Sequence, residues 1–368
     1  MNLDEKFALA WAKLSQAYAA MYWFHGFNNE HLAVAEASAR KALDLEPDLP
    51  EAHWALGYCL YWGHYSYNLA LKEFEIALSS QPSNTQIIAA IGYVQRQQGN
   101  FPQALKNIRR AYDLDPLSHE FATELGLTYL LMREYQNAND YCDRAIDLAP
   151  DQPKAYEWKA CICLRWQGDM RGARKILEEA LQKIKLKDNT GDIAYRLVNI
   201  DIYEKKYQDV LDRLASESNG VENMSLLDVL RYALVCRYMG KTEVAEKCFT
   251  RARSALKAQV IEKPEEAYLH SFLGIACAGL GLTEEALKEG QRGIDLLPMA
   301  TERRRGIYRL EDFARINVMV GRYDEAVDQI KRLLAVPGRL SIPLLRLDPA
   351  WDDLRNNHRF KKLLESDK

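Results

Sequence analysis

Residues 119–134, HEFATELGLTYLLMRE, and residues 135–150, YQNANDYCDRAIDLAP, decide the fold of this chain. In both stretches apolar residues recur at spacings of three and four, which predicts two half-buried α-helices. Gly126 and Ala138 are small where two helices must approach each other closely. Pro150 ends the second helix, because its ring clashes with the preceding helical turn. The two stretches therefore predict one helix pair.

The same pattern returns along the chain with a period of 34 residues. Proline, glycine and alanine share this period in one phase: Pro82, Pro116 and Pro150; Gly92 and Gly126; Ala104 and Ala138; Ala111 and Ala145. A fixed period in this range is the signature of a stacked array of identical supersecondary units. Such an array grows in one dimension and needs no large central core.

The chain resembles tetratricopeptide-repeat (TPR) proteins, whose pattern is matched by Leu125-Gly126, Tyr129, Ala138, Ala145 and Pro150. The resemblance covers about residues 8 to 336 and implies an all-α fold. We expect a right-handed α-solenoid of about nine helix pairs over residues 1–336, followed by a capping segment over residues 337–368.

Several copies depart from the regular period. The first has an enlarged turn around YWFHGFNN, and the second is one residue longer between its helices. A copy at about residues 190–218 is degenerate. After residue 225 the repeats lengthen, since Gly240, Gly281 and Gly321 are 41 and 40 residues apart. We expect longer second helices or longer connections in that part of the chain.

The carboxyl-terminal residues are predicted to cover the exposed end of the array, because terminal repeats need a cap. Asp348-Pro349-Ala350-Trp351 predicts a helix start, and Leu354, Phe360, Leu363 and Leu364 are expected to pack on the last repeat. This tail and the opening FALAWAKLSQAY resemble a group of bacterial TPR regions. In that group the repeats follow an adenylyl cyclase, a protein kinase or a winged-helix domain.

Composition excludes several classes of function. The chain is 48% hydrophobic and 27% charged, with a net charge of −3, so it has no basic surplus for binding nucleic acid. No apolar run is long enough to span a membrane, and the first residues do not read as a signal peptide. The odd number of cysteines, seven, favours buried thiols in a reducing cytoplasm.

The resemblance also implies where a partner binds, because the first helix of each TPR pair lines a concave surface. Aromatic residues and arginine dominate binding hot spots, so we expect such side chains on these helices to contact a protein or peptide partner. Two groups result: Trp54, Tyr58, Tyr61, Tyr93 and Arg96; and Tyr195, Asn199, Arg237 and Tyr238. The alternative is that these aromatic rings only pack between neighbouring repeats.

One specific TPR activity, the grip on a chaperone's terminal carboxylate by lysine and asparagine, is not expected here. The corresponding positions hold Trp54 and Tyr58, Ala89 and Tyr93, and Thr123 and Leu127.

No catalytic or cofactor motif stands out, and we expect neither an enzyme nor a bound metal. Cys161 and Cys163 lack the further ligands of a zinc site, and Gly240-Lys241-Thr242 lacks the upstream glycine and strand of a phosphate loop. Arg303, Arg304 and Arg305 favour a solvated helix start over an anionic-partner site.

Three functions remain open from the sequence. The leading hypothesis is a cytoplasmic bacterial protein–protein interaction scaffold. The alternatives are a regulatory or sensor module of a signalling enzyme or transcription regulator, and a TPR protein that assembles with itself into a homo-oligomer.

Overall fold

The computed structural model describes residues 6–24, 28–184, 191–300 and 302–365. These ranges are all-helical and contain no β-strand, which confirms the predicted fold class. The α-helices are α1 (Ala8–Phe24), α2 (Asn29–Leu45), α3 (Pro50–Tyr58), α4 (Tyr67–Ser80), α5 (Thr85–Gln97), α6 (Phe101–Leu114), α7 (His119–Met132), α8 (Tyr135–Leu148), α9 (Pro153–Trp166), α10 (Met170–Lys183), α11 (Gly191–Tyr203), α12 (Tyr207–Glu217), α13 (Leu226–Tyr238), α14 (Thr242–Glu262), α15 (Ala267–Gly279), α16 (Thr283–Leu296), α17 (Arg303–Met319), α18 (Tyr323–Leu334), α19 (Ile342–Leu347) and α20 (His358–Glu365).

Two predictions fall outside these ranges. Residues 1–5 belong to the stretch that was not expected to be a signal peptide. Residues 25–27 belong to the stretch YWFHGFNN, where an enlarged first turn was predicted.

Consecutive helices pack on each other as pairs, and odd-numbered helices such as α1 and α3, or α15 and α17, also pack on one another. Glycine permits this close approach at two points. A Cβ atom on Gly92 would lie 3.1 Å from the carbonyl oxygen of Ala104 on the partner helix. A Cβ atom on Gly274 would lie 3.0 Å from the carbonyl oxygen of Ala286. The helix pair therefore has no room for a side chain at these positions.

The extra residue in the second copy is absorbed within the helix rather than in the turn. Residues Cys59–Gly63 form a π-helical turn directly after α3. A π-helical turn holds one more residue than an α-helical turn, so the repeat keeps its packing register on either side.

The turn inside each pair requires a left-handed backbone conformation. Gly99, Gly168, Gly240, Gly281 and Gly321 have φ between 70° and 83° at these turns. Three corresponding turns carry other residues, with φ of 52° at Tyr65, 64° at Arg133 and 60° at Lys205. A side chain in this conformation costs about 1–2 kcal/mol, so these three positions hold strain that the glycine turns avoid.

The chain divides into two compact units, residues 1–128 and 129–368, which we call unit 1 and unit 2. The boundary falls within α7. In unit 1 a core around Phe74, Ile87 and Val94 joins α3, α4 and α5. In unit 2 a large core runs from α11 to α17, and a second one occupies α9 to α11.

Residues 337–365, here called the C-terminal segment, pack on two distant parts of unit 2. Trp351, Leu354 and Phe360 are fully buried in one core with residues of α17 and α18. Leu344 and Leu347 pack on the core formed by α9 to α11. The segment therefore contacts the last repeat, where a cap was expected, and also helices that lie far earlier in the sequence.

Hydrogen bonds fix the end of α18 and the start of this segment to α7 and the turn after it. The backbone N–H of Gly338 donates to the carbonyl oxygen of Leu131, 2.9 Å away. The Arg133 guanidinium donates to the carbonyl oxygens of Leu340, at 3.1 Å, and Leu333, at 3.3 Å. The strained conformation of Arg133 thus places its side chain where it holds the C-terminal segment.

Candidate functional site

The odd-numbered helices of each unit, up to α17, are here called its inner helices. In unit 1 these helices and the π-helical turn after α3 carry a group of aromatic rings, here called the aromatic surface: Trp54, Tyr58, Trp62 and Tyr93. All four are half-buried. The ring centroids of Tyr58 and Trp62 are 4.2 Å apart, and those of Trp54 and Tyr58 are 6.3 Å apart. Tyr58 also meets Phe74 of the core edge-on at 5.3 Å. The rings are therefore held rigidly, which lowers the entropy that a partner's binding would cost.

Two residues that the sequence placed in the partner-binding group lie in the interior instead. Tyr61 is buried, and its hydroxyl oxygen accepts a hydrogen bond from Gln97. Arg96 is only 6% exposed and extends from α5 to α7. There it donates to the Thr128 hydroxyl at 2.8 Å and pairs with the Glu124 carboxylate. Its guanidinium joins two inner helices and is not presented to solvent.

Glu120, which the sequence analysis did not single out, lies beside the aromatic surface. It is solvent-exposed, and no hydrogen bond or ion pair ties it to another described residue. Burial by surrounding atoms nevertheless raises its pKa, and the neighbouring Glu124 raises it further. Burial raises the pKa of Tyr58 and of Tyr93, and the charge of Glu120 raises both further, so this carboxylate lies near the two rings.

Unit 2 contains a cavity of about 420 Å³ on its inner helices. Its walls come from α9, α11, α13, α15 and α17, and the C-terminal segment contributes Leu340, Leu344 and Trp351. Three residues of the second predicted group, Tyr195, Asn199 and Tyr238, line it. The structure thus brings these three together, in a space that the chain itself partly covers.

The cavity is rich in arginine. Six arginines and three carboxylates line it: Arg165, Arg196, Arg231, Arg309, Arg315 and Arg339, with Glu311, Asp312 and Asp348. The lining therefore carries a formal charge of +3, from six positive and three negative groups. No lysine or histidine takes part among the described residues.

The three carboxylates bind three of the arginines. Glu311 pairs with Arg339 at 2.6 Å and with Arg315 at 3.2 Å. Asp348 lies 3.0 Å from Arg315 and Asp312 lies 2.9 Å from Arg309. The Glu311–Arg339 and Arg315–Asp348 pairs join α17 to the C-terminal segment.

Two tyrosines report the positive potential of the cavity. Burial alone raises the pKa of a tyrosine, but Arg231 and Arg339 lower the pKa of Tyr195 below its ordinary value. Burial is likewise outweighed at Tyr308, first by Arg304, which does not line the cavity, and then by Arg339. At Tyr203 and Tyr238, which also line the cavity, burial prevails and raises the pKa. The excess of positive charge is therefore local to Tyr195 and Tyr308 and does not extend along the whole cavity.

Arg237, the remaining predicted residue, lies on a second cavity of about 440 Å³. Tyr238 lines this cavity as well. The Arg237 guanidinium is 3.7 Å from the Asp353 carboxylate of the C-terminal segment. Arg237 therefore takes part in holding that segment.

Most of the cysteine side chains lie in the interior of the helical packing. All seven are free thiols, and six of them are buried. Burial raises the pKa of Cys236 and of Cys277 to about 11, so both stay protonated near neutral pH. Across the described ranges no cluster of three or more histidine, cysteine, aspartate or glutamate side chains is arranged to hold a metal ion.

Comparison with known proteins agrees with the helical repeat. The tetratricopeptide-repeat family model matches residues 89–153. The chain is all-helical in its described ranges and carries tetratricopeptide-repeat sequence over residues 89–153. It is 27% identical over 121 residues to the type IV pilus assembly protein PilF of Pseudomonas aeruginosa, covering 32% of this chain and 48% of that protein. It is 23% identical over 240 residues to a BBSome complex member BBS4 homolog of Drosophila melanogaster, covering 62% and 42% respectively.

Among solved structures, the TPR protein TTC0263 of Thermus thermophilus is similar, with a TM-score of 0.43 and 19% identity over 51% of this chain and 98% of that one. The chain spans less than half the length of the curated relatives it matches. None of the described helices combines the length and apolar character that a bilayer crossing requires.

Proposed function

We propose that this TPR protein is a non-catalytic protein–protein interaction scaffold, and that the inner face of unit 1 binds a segment of a partner protein. The observation that carries the proposal is the aromatic surface beside Glu120. It combines rigid half-buried rings with an unpaired, crowded carboxylate. Such rigid aromatic groups in a concavity supply most of the binding energy at protein interfaces.

The chemistry of this face indicates what the partner presents. The Tyr93 hydroxyl is buried and has no hydrogen-bond partner among the described residues. Glu120 supplies negative charge next to the rings of Tyr58 and Tyr93. A cation is attracted both by a carboxylate and by the face of an aromatic ring. The partner segment is therefore expected to place a lysine or arginine between Glu120 and these rings, next to an apolar anchor.

The inner face of unit 2 is a poorer candidate for such a partner. There the chain's own Leu340, Leu344 and Trp351 lie against the inner helices. A partner segment would have to displace residues that are buried in the core of the last repeat. We therefore place partner binding in unit 1 and assign Tyr195, Asn199 and Tyr238 to the separate cavity. The free thiols support a reducing compartment for the protein.

The test is a selection of random twelve-residue peptides on the full chain, followed by fluorescence anisotropy with the enriched sequences. Glu120→Lys reverses the charge of one exposed side chain and leaves the core untouched. We expect it to weaken binding at least tenfold, because it replaces attraction of a cation by repulsion. Glu75→Lys is the matched control, since Glu75 is exposed on the even-numbered helix α4.

Enriched peptides that carry a basic residue and lose affinity only with Glu120→Lys would support the proposal. Equal affinity for both variants and the wild type would place the binding surface elsewhere on the chain. The same outcome is expected if the aromatic rings of unit 1 only pack between repeats.

A further inference from the structure

The arginines that line the cavity in unit 2 outnumber the carboxylates that line it, six to three. Arg309, Arg315 and Arg339 pair with the three lining carboxylates. Arg165, Arg196 and Arg231 remain, one each on the successive inner helices α9, α11 and α13. This surplus is the feature from which a further function follows.

Arg165 is the least compensated of the three. It is 8% exposed, its Nη1 atom has no hydrogen-bond partner, and no carboxylate of the described residues pairs with it. A buried cation without a partner is strongly unfavourable for the folded state. Residues that cost stability in this way are typical of binding sites, where a ligand supplies the missing charge.

Arg196 and Arg231 converge on the same point. Their guanidinium carbons lie 6.0 Å and 4.5 Å from the centre of the Tyr195 ring. Each is paired with one carboxylate outside the cavity lining: Glu157 is 3.9 Å from Arg196, and Asp228 accepts a hydrogen bond from Arg231 at 3.4 Å. Glu157 also lies 3.3 Å from Lys154, so its charge is shared. A guanidinium has five N–H donors, so both arginines keep further donors for a ligand near this ring.

The other side of the cavity is apolar. Leu227, Leu230 and Leu234 of α13 line it together with Phe272 and Ile275 of α15. A volume of about 420 Å³ is within the range of small-molecule sites. The site therefore has a cationic end and a hydrocarbon wall, and its size suits a compact molecule better than a folded partner.

We propose that this cavity binds a small organic dianion, a phosphate monoester or a dicarboxylate, whose charged group pairs with Arg165, Arg196 and Arg231 and whose apolar part contacts α13 and α15. Planar guanidinium groups bind both phosphate and carboxylate through paired N–H donors. A dianion offers more acceptors and charge to the three guanidinium groups than a monoanion or a neutral molecule does.

The binding site is independent of the proposed partner surface. It lies entirely within unit 2, and Glu120→Lys in unit 1 is expected to leave anion binding unchanged. A ligand here would contact both the inner helices and the C-terminal segment, so its binding would strengthen the hold on that segment.

The experiment is isothermal titration calorimetry on the full chain with phenyl phosphate and with benzylmalonate, two aromatic dianions. Benzyl alcohol is the neutral comparison. We expect both dianions to bind, and benzyl alcohol to bind at least tenfold more weakly. Arg165→Gln and Arg231→Gln are each expected to weaken dianion binding at least tenfold. Arg332→Gln, at an exposed position on α18 outside the cavity, should leave it unchanged.

The melting temperature of the unliganded variants separates binding from structure. Because Arg165 has no partner, Arg165→Gln should melt at or above the wild-type temperature. Arg339→Gln breaks the pair with Glu311 and should melt below it. The proposal is wrong if neither dianion binds, if benzyl alcohol binds as well as the dianions, or if Arg165→Gln and Arg231→Gln bind like Arg332→Gln. A lower melting temperature for Arg165→Gln would show that its charge serves the fold.

Discussion

The inner faces of the two units are built from the same repeat and present opposite chemistry. In unit 1 the inner helices carry half-buried aromatic rings beside the unpaired carboxylate of Glu120. In unit 2 they carry a surplus of arginine, and the C-terminal segment packs against them. The helix pair fixes the positions that pack, such as Gly92 and Gly274, and leaves the inner positions free to differ. The two units can therefore serve different ligands on one scaffold.

The stability of unit 2 should depend strongly on the C-terminal segment that packs against its inner helices. Trp351 is fully buried under α17, with the Arg315 guanidinium 5.6 Å from its ring centre. We expect Trp351→Ala to lower the free energy of unfolding by about 3–5 kcal/mol, because it leaves a large cavity. Trp54→Ala in unit 1 should cost less than half of that, since Trp54 is half-buried. Urea denaturation followed by circular dichroism measures both, and equal losses would remove the contrast between the faces.

The shared scaffold should respond alike in both units. Gly92→Ala and Gly274→Ala each place a Cβ atom 3.0–3.1 Å from a backbone atom of the partner helix. We expect each to lower the free energy of unfolding by about 1–3 kcal/mol, because neither backbone can yield without separating the helices. Thermal melts of the two variants provide the check. An unchanged melting temperature for either variant would show that the two helix pairs do not pack equally closely at the corresponding glycine.

The strained turns should separate a residue that holds the C-terminal segment weakly from one that holds it strongly. Lys205 makes one exposed ion pair with that segment, to Asp352 at 3.5 Å, so Lys205→Gly loses little when it relieves the left-handed conformation and should raise the free energy of unfolding by about 1 kcal/mol. Arg133→Gly relieves the same strain but removes the hydrogen bonds to Leu333 and Leu340. We expect a net loss of about 1 kcal/mol or more, since several donors to buried carbonyl groups disappear. If both variants were stabilised equally, Arg133 would not hold the segment.

The smallest expected effect concerns Glu120. Its pKa is raised in the folded protein, so the native state binds the proton more tightly than the unfolded chain does. The ionised carboxylate therefore costs stability above the folded-state pKa. Glu120→Gln should be slightly more stable than wild type near neutral pH, and the difference should vanish as the pH falls below the ordinary carboxyl range. A difference that grows at low pH would contradict the raised pKa.

The sequence predicts the fold well because the 34-residue period records local packing. The positions of Gly92, Ala104 and Ala111 are set by neighbouring helices, and each leaves its mark in every regular copy. The π-helical turn at Cys59–Gly63 likewise left a signal, since the second copy is one residue longer.

The candidate site is harder to predict because its contacts are long-range. Arg96 looked like a surface cation, yet its partner Glu124 lies 28 residues later on the next inner helix. The surplus arginines Arg165, Arg196 and Arg231 recur at spacings of 31 and 35, close to the repeat period, and that spacing is the one signal that could have indicated them. Apolar residues of the C-terminal segment look the same whether they cap one end or also reach back to α9.

The hydrogen bonds between Arg133 and Leu340 join residues 207 positions apart. In an open repeat array each pair contacts only its neighbours, so such arrays unfold piecemeal and can nucleate anywhere. In unit 2, by contrast, hydrogen bonds join the turn after α7 to the C-terminal segment. The entropic cost of closing that long loop is offset only when these contacts form. The helices of unit 2 should therefore gain or lose order together. During synthesis, α9 and the turn between α7 and α8 complete their contacts only after residues 337–365 have left the ribosome.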